Sequence, residues 1–342
     1  MKDEIVPRLV MIATFMCASA VCGATYSIKS DLDGKTVDLT DPATYLENAV
    51  PSGEGDVITV SAVYPYMTVT VSDPESMALL AGIERLEIGY GNEFILDCEG
   101  DFTLPAQVKG NGTFVKEGAG TVRFASHKID PNGLYYDYSV NIDVREGVLR
   151  MVQADDTTMH THSHYAVNVE AGATLVTVLN GTTQVKSLSG AGLVTNECTD
   201  VNEKGDLIYN QLNISNTGPD AGFDGIVAGQ IMVRPTGGFL TLRNPANTFT
   251  GGVQLNQYRS NAPFGGILQV TKFANADEPS SLGMGASTMI SVSSGGGLVR
   301  YIGNERSRTD RSVMIPDWPV VLDAGHYGGI TFNGLFATYG ST

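Results

Sequence analysis

Three histidines alternate with other residues in the segment Met159-His160-Thr161-His162-Ser163-His164-Tyr165. In a β-strand, alternate side chains point to the same face and lie about 6.5 to 7 Å apart. Imidazole nitrogen is a common ligand of Zn²⁺ and Cu²⁺, and Asp155 or Asp156 just upstream offers carboxylate oxygen. The sequence therefore predicts a candidate divalent metal site at His160, His162 and His164, with a solvated outer face or a protruding loop as the alternative.

A second candidate metal site lies near the start of the chain, where the segment Asp31-Leu32-Asp33-Gly34 begins like a calcium-binding loop. Lys35 occupies the third ligand position of an EF-hand, and Pro42 stands where the bidentate Glu is required, so an EF-hand is excluded. A looser calcium site could use Asp31, Asp33 and Asp38. The alternative is a polar turn, in which Asp side chains hydrogen-bond to the backbone.

Hydrolysis or elimination on a polysaccharide would require carboxylates at a defined separation across a sugar. The candidates are Asp220 with Asp224, Asp317 with Asp323, and the basic residues Lys116 and Arg123. Their spacings define no geometry, and Lys116 and Arg123 are predicted to be ordinary polar residues of a stacked surface. The sequence therefore predicts no catalytic residue and no cofactor beyond the divalent metal considered above.

The elements that would position these residues are short β-strands separated by glycine turns. Apolar residues alternate with polar ones at Val140, Ile142 and Val144 and again at Val167 and Val169, which predicts strands that bury one face. The segment from Gly110 to Phe124 has the same form. Helical patterns are absent between the strands after residue 85. A stack of parallel strands, as in a β-solenoid, is the favoured fold, and an antiparallel sandwich or jelly roll is the alternative.

Composition agrees with this fold and excludes some partners. The 342 residues include 40 glycines, and only 17% are charged, where about 25% is usual. Short turns explain both values, because glycine adopts the required backbone conformations without steric cost. The net charge is −16, from 37 acidic and 21 basic residues. Nucleic acid is therefore an unsuitable partner, and anionic membrane surfaces are disfavoured.

The amino terminus resembles an export signal, with an apolar run from Leu9 to Val21 followed by small residues. Cleavage is expected before Val21 or before Thr25. The run is shorter than the about 20 residues that span a bilayer, and no direct membrane span is expected elsewhere. After cleavage, Cys98 and Cys198 form either a disulfide or two buried thiols.

We divide the chain into a signal peptide (residues 1–24), an N-terminal capping region (25–105) and a solenoid repeat region (106–342) that we expect to be incomplete at its carboxyl end. Two short helices are predicted in the capping region. Asp41-Pro42 and Asp73-Pro74 each supply an N-cap residue followed by proline at the first helical position. An irregular start would protect the terminal strands from pairing edge to edge.

Several different motifs follow one another along the stretch from Lys186 to Val270. They are V-K-S-L-S-G-A-G-L-V (185–194), F-D-G-I-V-A-G (223–229), N-T-F-T-G-G-V-Q-L (247–255) and G-I-L-Q-V (266–270), followed by S-S-L-G (280–283). This succession resembles the autotransporter-associated β-strand repeat of bacterial surface proteins. The resemblance implies a right-handed parallel β-helix, export, and exposure at or beyond the outer membrane. Pro235-Thr236-Gly237-Gly238-Phe239 departs from the family pattern, and no carboxy-terminal translocator is recognised.

These observations predict a secreted or surface-displayed bacterial β-solenoid with a structural or adhesive role and no catalysis of its own. We expect it to be extracellular or associated with the outer membrane. Glycans or proteins of a host or a neighbouring cell would be its partners. Parallel β-helices also carry polysaccharide-degrading enzymes, so a β-helical polysaccharide lyase or hydrolase is the alternative function.

Overall fold

The computed structural model describes residues 23–53, 55–104, 107–125, 140–152, 160–161, 166–177, 181–198, 201, 205, 208–215, 222–256, 266–285, 290–315, 320–325 and 328–338. Within these ranges, no helix has the length and apolar character needed to cross a membrane. The predicted signal peptide lies outside the described residues.

Helices are few and short. The α-helix α1 spans Pro74–Gly82, and two 3₁₀-helices span Ser30–Leu32 and Pro42–Thr44. Asp73 caps α1 by accepting a hydrogen bond from the backbone N–H of Ser76, and Asp41 caps the second 3₁₀-helix by accepting one from Ala43. Both predicted helix starts are therefore confirmed, although the one at Asp41 begins a 3₁₀-helix.

The remaining elements are short strands. In chain order they are β1 (Thr25–Ser27), β2 (Lys35–Thr36), β3 (Val57–Val60), β4 (Thr68–Val71), β5 (Arg85–Ile88), β6 (Glu93–Asp97), β7 (Asp101–Leu104), β8 (Gln107–Gly110), β9 (Thr113–Glu117), β10 (Thr121–Ala125), β11 (Asn141–Val144), β12 (Val148–Val152), β13 (His160–Thr161), β14 (Ala166–Val169), β15 (Thr174–Val176), β16 (Thr182–Val185), β17 (Ser187–Gly190), β18 (Leu193–Thr195), β19 (Asn210–Ile214), β20 (Gly222–Phe223), β21 (Ile226–Val227), β22 (Ile231–Pro235), β23 (Phe239–Leu242), β24 (Val253–Asn256), β25 (Ile267–Val270), β26 (Ile290–Ser294), β27 (Gly297–Tyr301), β28 (Ser307–Thr309), β29 (Val313–Ile315), β30 (Val320–Asp323), β31 (Ile330–Phe332) and β32 (Phe336–Thr338).

These strands form long parallel sheets. The largest has twelve strands in the order β2-β4-β6-β9-β11-β14-β17-β20-β23-β25-β27-β30. The others follow the orders β13-β16-β19-β22-β24-β26-β29-β32, β21-β18-β15-β12-β10-β7, β1-β3-β5-β8 and β28-β31. Every strand pair among the described residues is parallel, and Ile28 and Tyr45 form an isolated antiparallel bridge outside the strands. The predicted all-β parallel class is confirmed and is compatible with a β-helix, whereas an antiparallel sandwich does not describe these strands.

The strands of the predicted capping region already belong to these sheets. β4 and β6 lie in the twelve-stranded sheet, and β6 pairs directly with β9 of the predicted repeat region. Parallel pairing therefore continues across residue 105. A capping role for residues 25–105 stays a prediction.

Parallel pairing stacks equivalent side chains into buried columns. In the twelve-stranded sheet one column contains Val69, Phe94, Phe114, Ile142, Val167 and Leu188, all buried. The spacing along the chain varies, since Glu93 pairs with Thr113, 20 positions later, and Val253 pairs with Ile290, 37 positions later. Burial of this continuous apolar lining, at about 25 cal/mol per Å² of apolar surface, favours the folded chain.

A second column contains a lysine. Lys116 lies between Leu96 and Val144 and is fully buried. Its Nζ donates hydrogen bonds to the backbone oxygens of Glu117 at 2.5 Å, Gly118 at 2.6 Å and Glu146 at 3.3 Å. Burial lowers the pKa of this ammonium, and nearby acidic groups oppose the change. The prediction that Lys116 is a surface residue is wrong, because these carbonyls replace water around the ammonium.

Arg311 has a similar role farther along the chain. It is 2% exposed, and it donates to the backbone oxygens of Ala274 at 3.1 Å, Asn275 at 3.2 Å and Gly283 at 2.7 Å. Burial lowers the pKa of its guanidinium to about 10, which leaves it charged at neutral pH. This one side chain holds the loop that contains the Ser280–Gly283 motif.

The two cysteines among the described residues, Cys98 and Cys198, are buried thiols that are not joined in a disulfide. Cys98 follows β6 and Cys198 follows β18, and the exposed fractions are 2% and 5%. Burial raises the pKa of the Cys98 thiol. Of the two alternatives that the sequence left open, the structure has the buried thiols.

Asp56 joins the first described residues to the body of the protein. Its buried carboxylate accepts hydrogen bonds from the backbone N–H groups of Ala24 at 2.8 Å, Ser52 at 2.6 Å and Gly53 at 3.3 Å. Burial alone would raise the pKa of Asp56, but these hydrogen bonds outweigh it and the pKa is lowered from its ordinary value of 3.8. The ionised carboxylate is therefore the form that stabilises the fold.

We predict that Lys116→Met lowers the free energy of unfolding by about 2 to 4 kcal/mol, because three buried carbonyl oxygens lose their donor. Chemical denaturation measures the change. The matched control is Lys186→Met, at an exposed lysine, which should change stability by no more than about 0.5 kcal/mol. Equal effects of the two substitutions would contradict the structural role of Lys116.

We predict that Asp56→Asn lowers the free energy of unfolding by about 1 to 3 kcal/mol at neutral pH, because an amide cannot accept all of these hydrogen bonds. The folded-state pKa of Asp56 lies below the unfolded value, so the contribution is complete above the unfolded pKa and is lost as pH falls through the folded pKa. Denaturation at a series of pH values should show the difference from wild type shrinking below pH 3.8. Asp31→Asn, at an exposed position, is the control, and a difference that stays constant with pH would refute the assignment.

Candidate binding surface

The three predicted histidine ligands are only partly covered by the structure. His160 lies in β13, whose backbone pairs with Thr182 of β16. His162, His164, Asp155 and Asp156 lie outside the described residues. Among the described residues, no group of three or more His, Cys, Asp or Glu side chains could hold a metal ion. The histidine site therefore stays a prediction from the sequence.

Two of the three carboxylates of the possible calcium site, those of Asp33 and Asp38, are hydrogen-bonded within the chain, and Asp31 is exposed. The Oδ1 atom of Asp33 accepts a hydrogen bond from the N–H of Thr68 at 2.8 Å. Asp38 accepts hydrogen bonds from the N–H and the hydroxyl of Thr40, which lower its pKa. This arrangement corresponds to the polar turn that the sequence left as the alternative. Asp38 also lines a cavity of about 360 Å³, with Thr36, Val37, Thr40, Asp73 and Glu75 as its other lining residues.

The candidate residues for polysaccharide cleavage are dispersed. Asp224 pairs with Arg243 at 3.3 Å, and Asp323 pairs with Arg300 at 2.7 Å. Arg123 pairs with Asp101 at 3.4 Å on the exposed surface. Asp220 and Asp317 lie outside the described residues. The structure thus places Asp224 and Asp323 in separate ion pairs and Lys116 in the core.

A polar network crosses the outer face of the twelve-stranded sheet. Arg145 bonds to Asp143 at 2.8 Å and Glu117 at 2.9 Å, and its Nη2 lies 3.6 Å from Glu93. Burial alone would lower the pKa of this guanidinium, but its hydrogen bonds to Glu117 and Asp143 raise it. Asn168 extends the network by donating to Asp143 at 2.8 Å. The charged groups here satisfy one another across neighbouring strands.

The two most exposed aromatic residues among the described ones, Tyr64 and Tyr90, lie at the same corner of the sheets. We define the tyrosine surface as Val63, Tyr64, Tyr66 and Tyr90, whose exposed fractions are 91%, 87%, 42% and 71%. The ring centroids of Tyr64 and Tyr66 are 6.2 Å apart, and those of Tyr66 and Tyr90 are 5.7 Å apart, both edge to face. The rings thus form one continuous aromatic cluster in contact with solvent.

Parallel pairing brings these tyrosines together from different parts of the chain. Residues 61–67 connect β3 to β4, and residues 89–92 connect β5 to β6. Because β3 pairs with β5 and β4 pairs with β6, the two connections are stacked at the same corner. The N–H of Gly89 donates a hydrogen bond to the carbonyl of Val60 at 2.8 Å, which joins the first residue of the 89–92 connection to the last residue of β3.

Asn92 holds the two connections in place. Its side chain is buried, and its Oδ1 accepts hydrogen bonds from the N–H of Met67 at 2.8 Å and of Ala62 at 3.3 Å. Its Nδ2 donates to the carbonyls of Ala62 at 3.3 Å and of Gly89 and Tyr90 at 3.2 Å. One amide therefore ties both ends of the 61–67 connection to the turn that carries Tyr90.

Gly91 gives the ring of Tyr66 its position. The backbone of Gly91 has φ +76°, and a Cβ atom built there would lie 2.6 Å from the Tyr66 ring. A residue with a side chain would be strained by the backbone conformation and would displace the ring. The absence of a side chain at position 91 thus allows Tyr66 to pack over the turn and contact Tyr90.

Sequence reasoning did not identify this surface. In the sequence, Leu86, Ile88 and Tyr90 alternate with other residues as in one strand, and Leu86 and Ile88 are indeed buried. β5 ends at Ile88, however, so Tyr90 lies in the turn and faces solvent. The segment Tyr64-Pro65-Tyr66 between two strand patterns is the sequence signal that could have revealed the surface.

No protein-family model, curated protein or solved structure matches this chain. The resemblance to the autotransporter-associated repeat therefore rests on the motifs alone.

We predict that Asn92→Ala lowers the free energy of unfolding by about 1 to 3 kcal/mol, because backbone groups of both connections lose buried partners. Amide hydrogen exchange should show faster exchange at Ala62 and Met67. Asn333→Ala, at an exposed asparagine, is the matched control. Unchanged protection of both amides in Asn92→Ala would show that Asn92 does not hold the connections.

Proposed function

We propose that this chain is a secreted or surface-displayed bacterial β-solenoid of the passenger type, built as a right-handed parallel β-helix. In this proposal it has a structural or adhesive role and no catalysis of its own. It is exported by its amino-terminal signal and acts outside the cell or at the outer membrane.

The observation that supports the proposal is the recurrence of strands in long parallel sheets. Three of the sheets have twelve, eight and six strands, and neighbouring strands come from successive segments of the chain. A solenoid gains its stability from the interfaces between neighbouring units. The apolar columns supply such interfaces, and residues in the corner connections are then free to serve contact with other molecules.

Surface chemistry supports adhesion to glycans or proteins. The net charge of −16 opposes contact with nucleic acid. Aromatic residues at the tyrosine surface offer the amphipathic contact area that binding sites use. The alternative function, a polysaccharide lyase or hydrolase, requires convergent carboxylates, and Asp224 and Asp323 lie in different ion pairs.

We predict that the full chain, expressed in a Gram-negative host, is exported and processed to a mature form that begins at Val21 or Thr25. Mass spectrometry of the amino-terminal peptide identifies the cut, and protease treatment of intact cells tests surface exposure. The control variant replaces Met11 and Ile12 in the apolar run with arginine, which should keep the chain inside the cell with its leader intact. An uncleaved wild-type chain in the cytoplasm would refute the proposal.

A further inference from the structure

We propose that the tyrosine surface is a binding site for neutral polysaccharides, in which sugar rings pack against the exposed tyrosines. The inference deepens the proposed adhesive role, rests on it, and assigns that role to Val63, Tyr64, Tyr66 and Tyr90.

The exposure of these residues needs an explanation in terms of a ligand. Scattered apolar residues are normal on protein surfaces, but contiguous patches mark interaction sites. Three aromatic rings, in which Tyr66 contacts both Tyr64 and Tyr90, form such a patch together with a valine that is 91% exposed. The surrounding structure supports this exposed arrangement, because Asn92 and Gly91 fix the two connections that carry it.

This support makes the site preorganised. The connection of residues 61–67 would otherwise lose conformational freedom when it binds a ligand, and that loss would weaken binding. Here the hydrogen bonds of Asn92 to Ala62 and Met67 already restrain both ends of the connection. Tyrosine itself loses little rotational freedom on binding, because it has only two side-chain torsions.

The chemistry of the patch matches a sugar polymer. One face of an aromatic ring carries partial negative charge, and the C–H groups on a pyranose face carry partial positive charge. The tyrosine hydroxyls can exchange hydrogen bonds with sugar hydroxyls.

The negative net charge of the chain favours neutral polysaccharides over anionic ones. The chain carries a net charge of −16, so sulfated, sialylated or uronate-rich glycans meet a like-charged protein. The residues that form the patch are themselves uncharged. A polymer without charge avoids this repulsion and still uses the stacking contacts.

The shape of the patch disfavours two other binding partners, a proline-rich peptide and a second copy of this chain. Proline-rich peptides dock into grooves between aromatic residues, whereas Val63 and Tyr64 project from the surface with 91% and 87% of their area exposed. A stable contact with a second copy would use about 20 to 30 residues on each side, far more than this patch contains. An extended sugar chain can lie across a few projecting rings.

The test uses the mature chain in affinity gel electrophoresis with soluble neutral polysaccharides that cover glucans, mannans, galactans and xylans, and with heparin as the polyanion. We expect at least one neutral polysaccharide to slow migration and heparin to have no effect. In the double variant Tyr64→Ala/Tyr90→Ala the dissociation constant should rise at least tenfold. Tyr64→Phe, which keeps the ring, should stay within about threefold of wild type.

Leu335→Ala is the control, because Leu335 is 75% exposed and belongs to a different corner. It should leave binding unchanged, and circular dichroism should show that every variant is folded. The inference is overturned if no neutral polysaccharide is bound, if the double variant binds like wild type, or if the patch instead mediates self-association that the double variant abolishes. Each of these results concerns the purified chain and leaves the test of export and surface exposure independent.

Discussion

Parallel pairing in register is the constraint on which the other features of this protein depend. Each strand satisfies its backbone hydrogen bonds with strands that lie about one unit before and after it, so equivalent positions stack directly. A position that faces inward in one strand therefore faces inward in the next. The column from Val69 to Leu188 follows this rule through six strands. Apolar residues at these positions are a consequence of pairing.

The connections at the corners do not have to stack in register, because the segments between strands differ in length. Carbonyl groups in these connections accept hydrogen bonds from buried polar side chains. Lys116 donates hydrogen bonds to the carbonyls of Glu117, Gly118 and Glu146. Arg311 donates hydrogen bonds to carbonyls of the loop from Ala274 to Gly283. Asn92 does the same for the connections beside it. Buried polar residues thus satisfy carbonyl groups of the connections, which agrees with the high cost of an unpaired buried carbonyl.

The alternation of apolar residues was enough to predict the class of the fold but not its exceptions. Leu86 and Ile88 alternate and share one buried face, yet the alternation, which continues to Tyr90, does not show that the strand ends at Ile88. Lys116 was predicted to be a surface residue because its side chain is charged, but it lies two positions after the buried Phe114 in the same strand and faces the same way. The conflict is resolved by carbonyls from residues 117, 118 and 146, and the last of these is distant in sequence. The exposed tyrosines were missed because two separate turns form their surface.

The same reasoning explains why a binding surface develops at a corner. Successive connections at this corner shorten from residues 61–67 to 89–92 and then to 111–112. A shorter neighbour cannot cover a longer one, so Tyr64 and Tyr66 project and the short turn after β8 leaves Tyr90 open. The faces of the sheets are instead occupied by ladders such as Asp143 and Asn168, whose polar groups already bond to one another. Groups that are satisfied within the protein gain little from a ligand, whereas exposed aromatic rings gain contact area. The regular columns therefore supply rigidity, and variation in the length of the corners supplies the surface available for recognition.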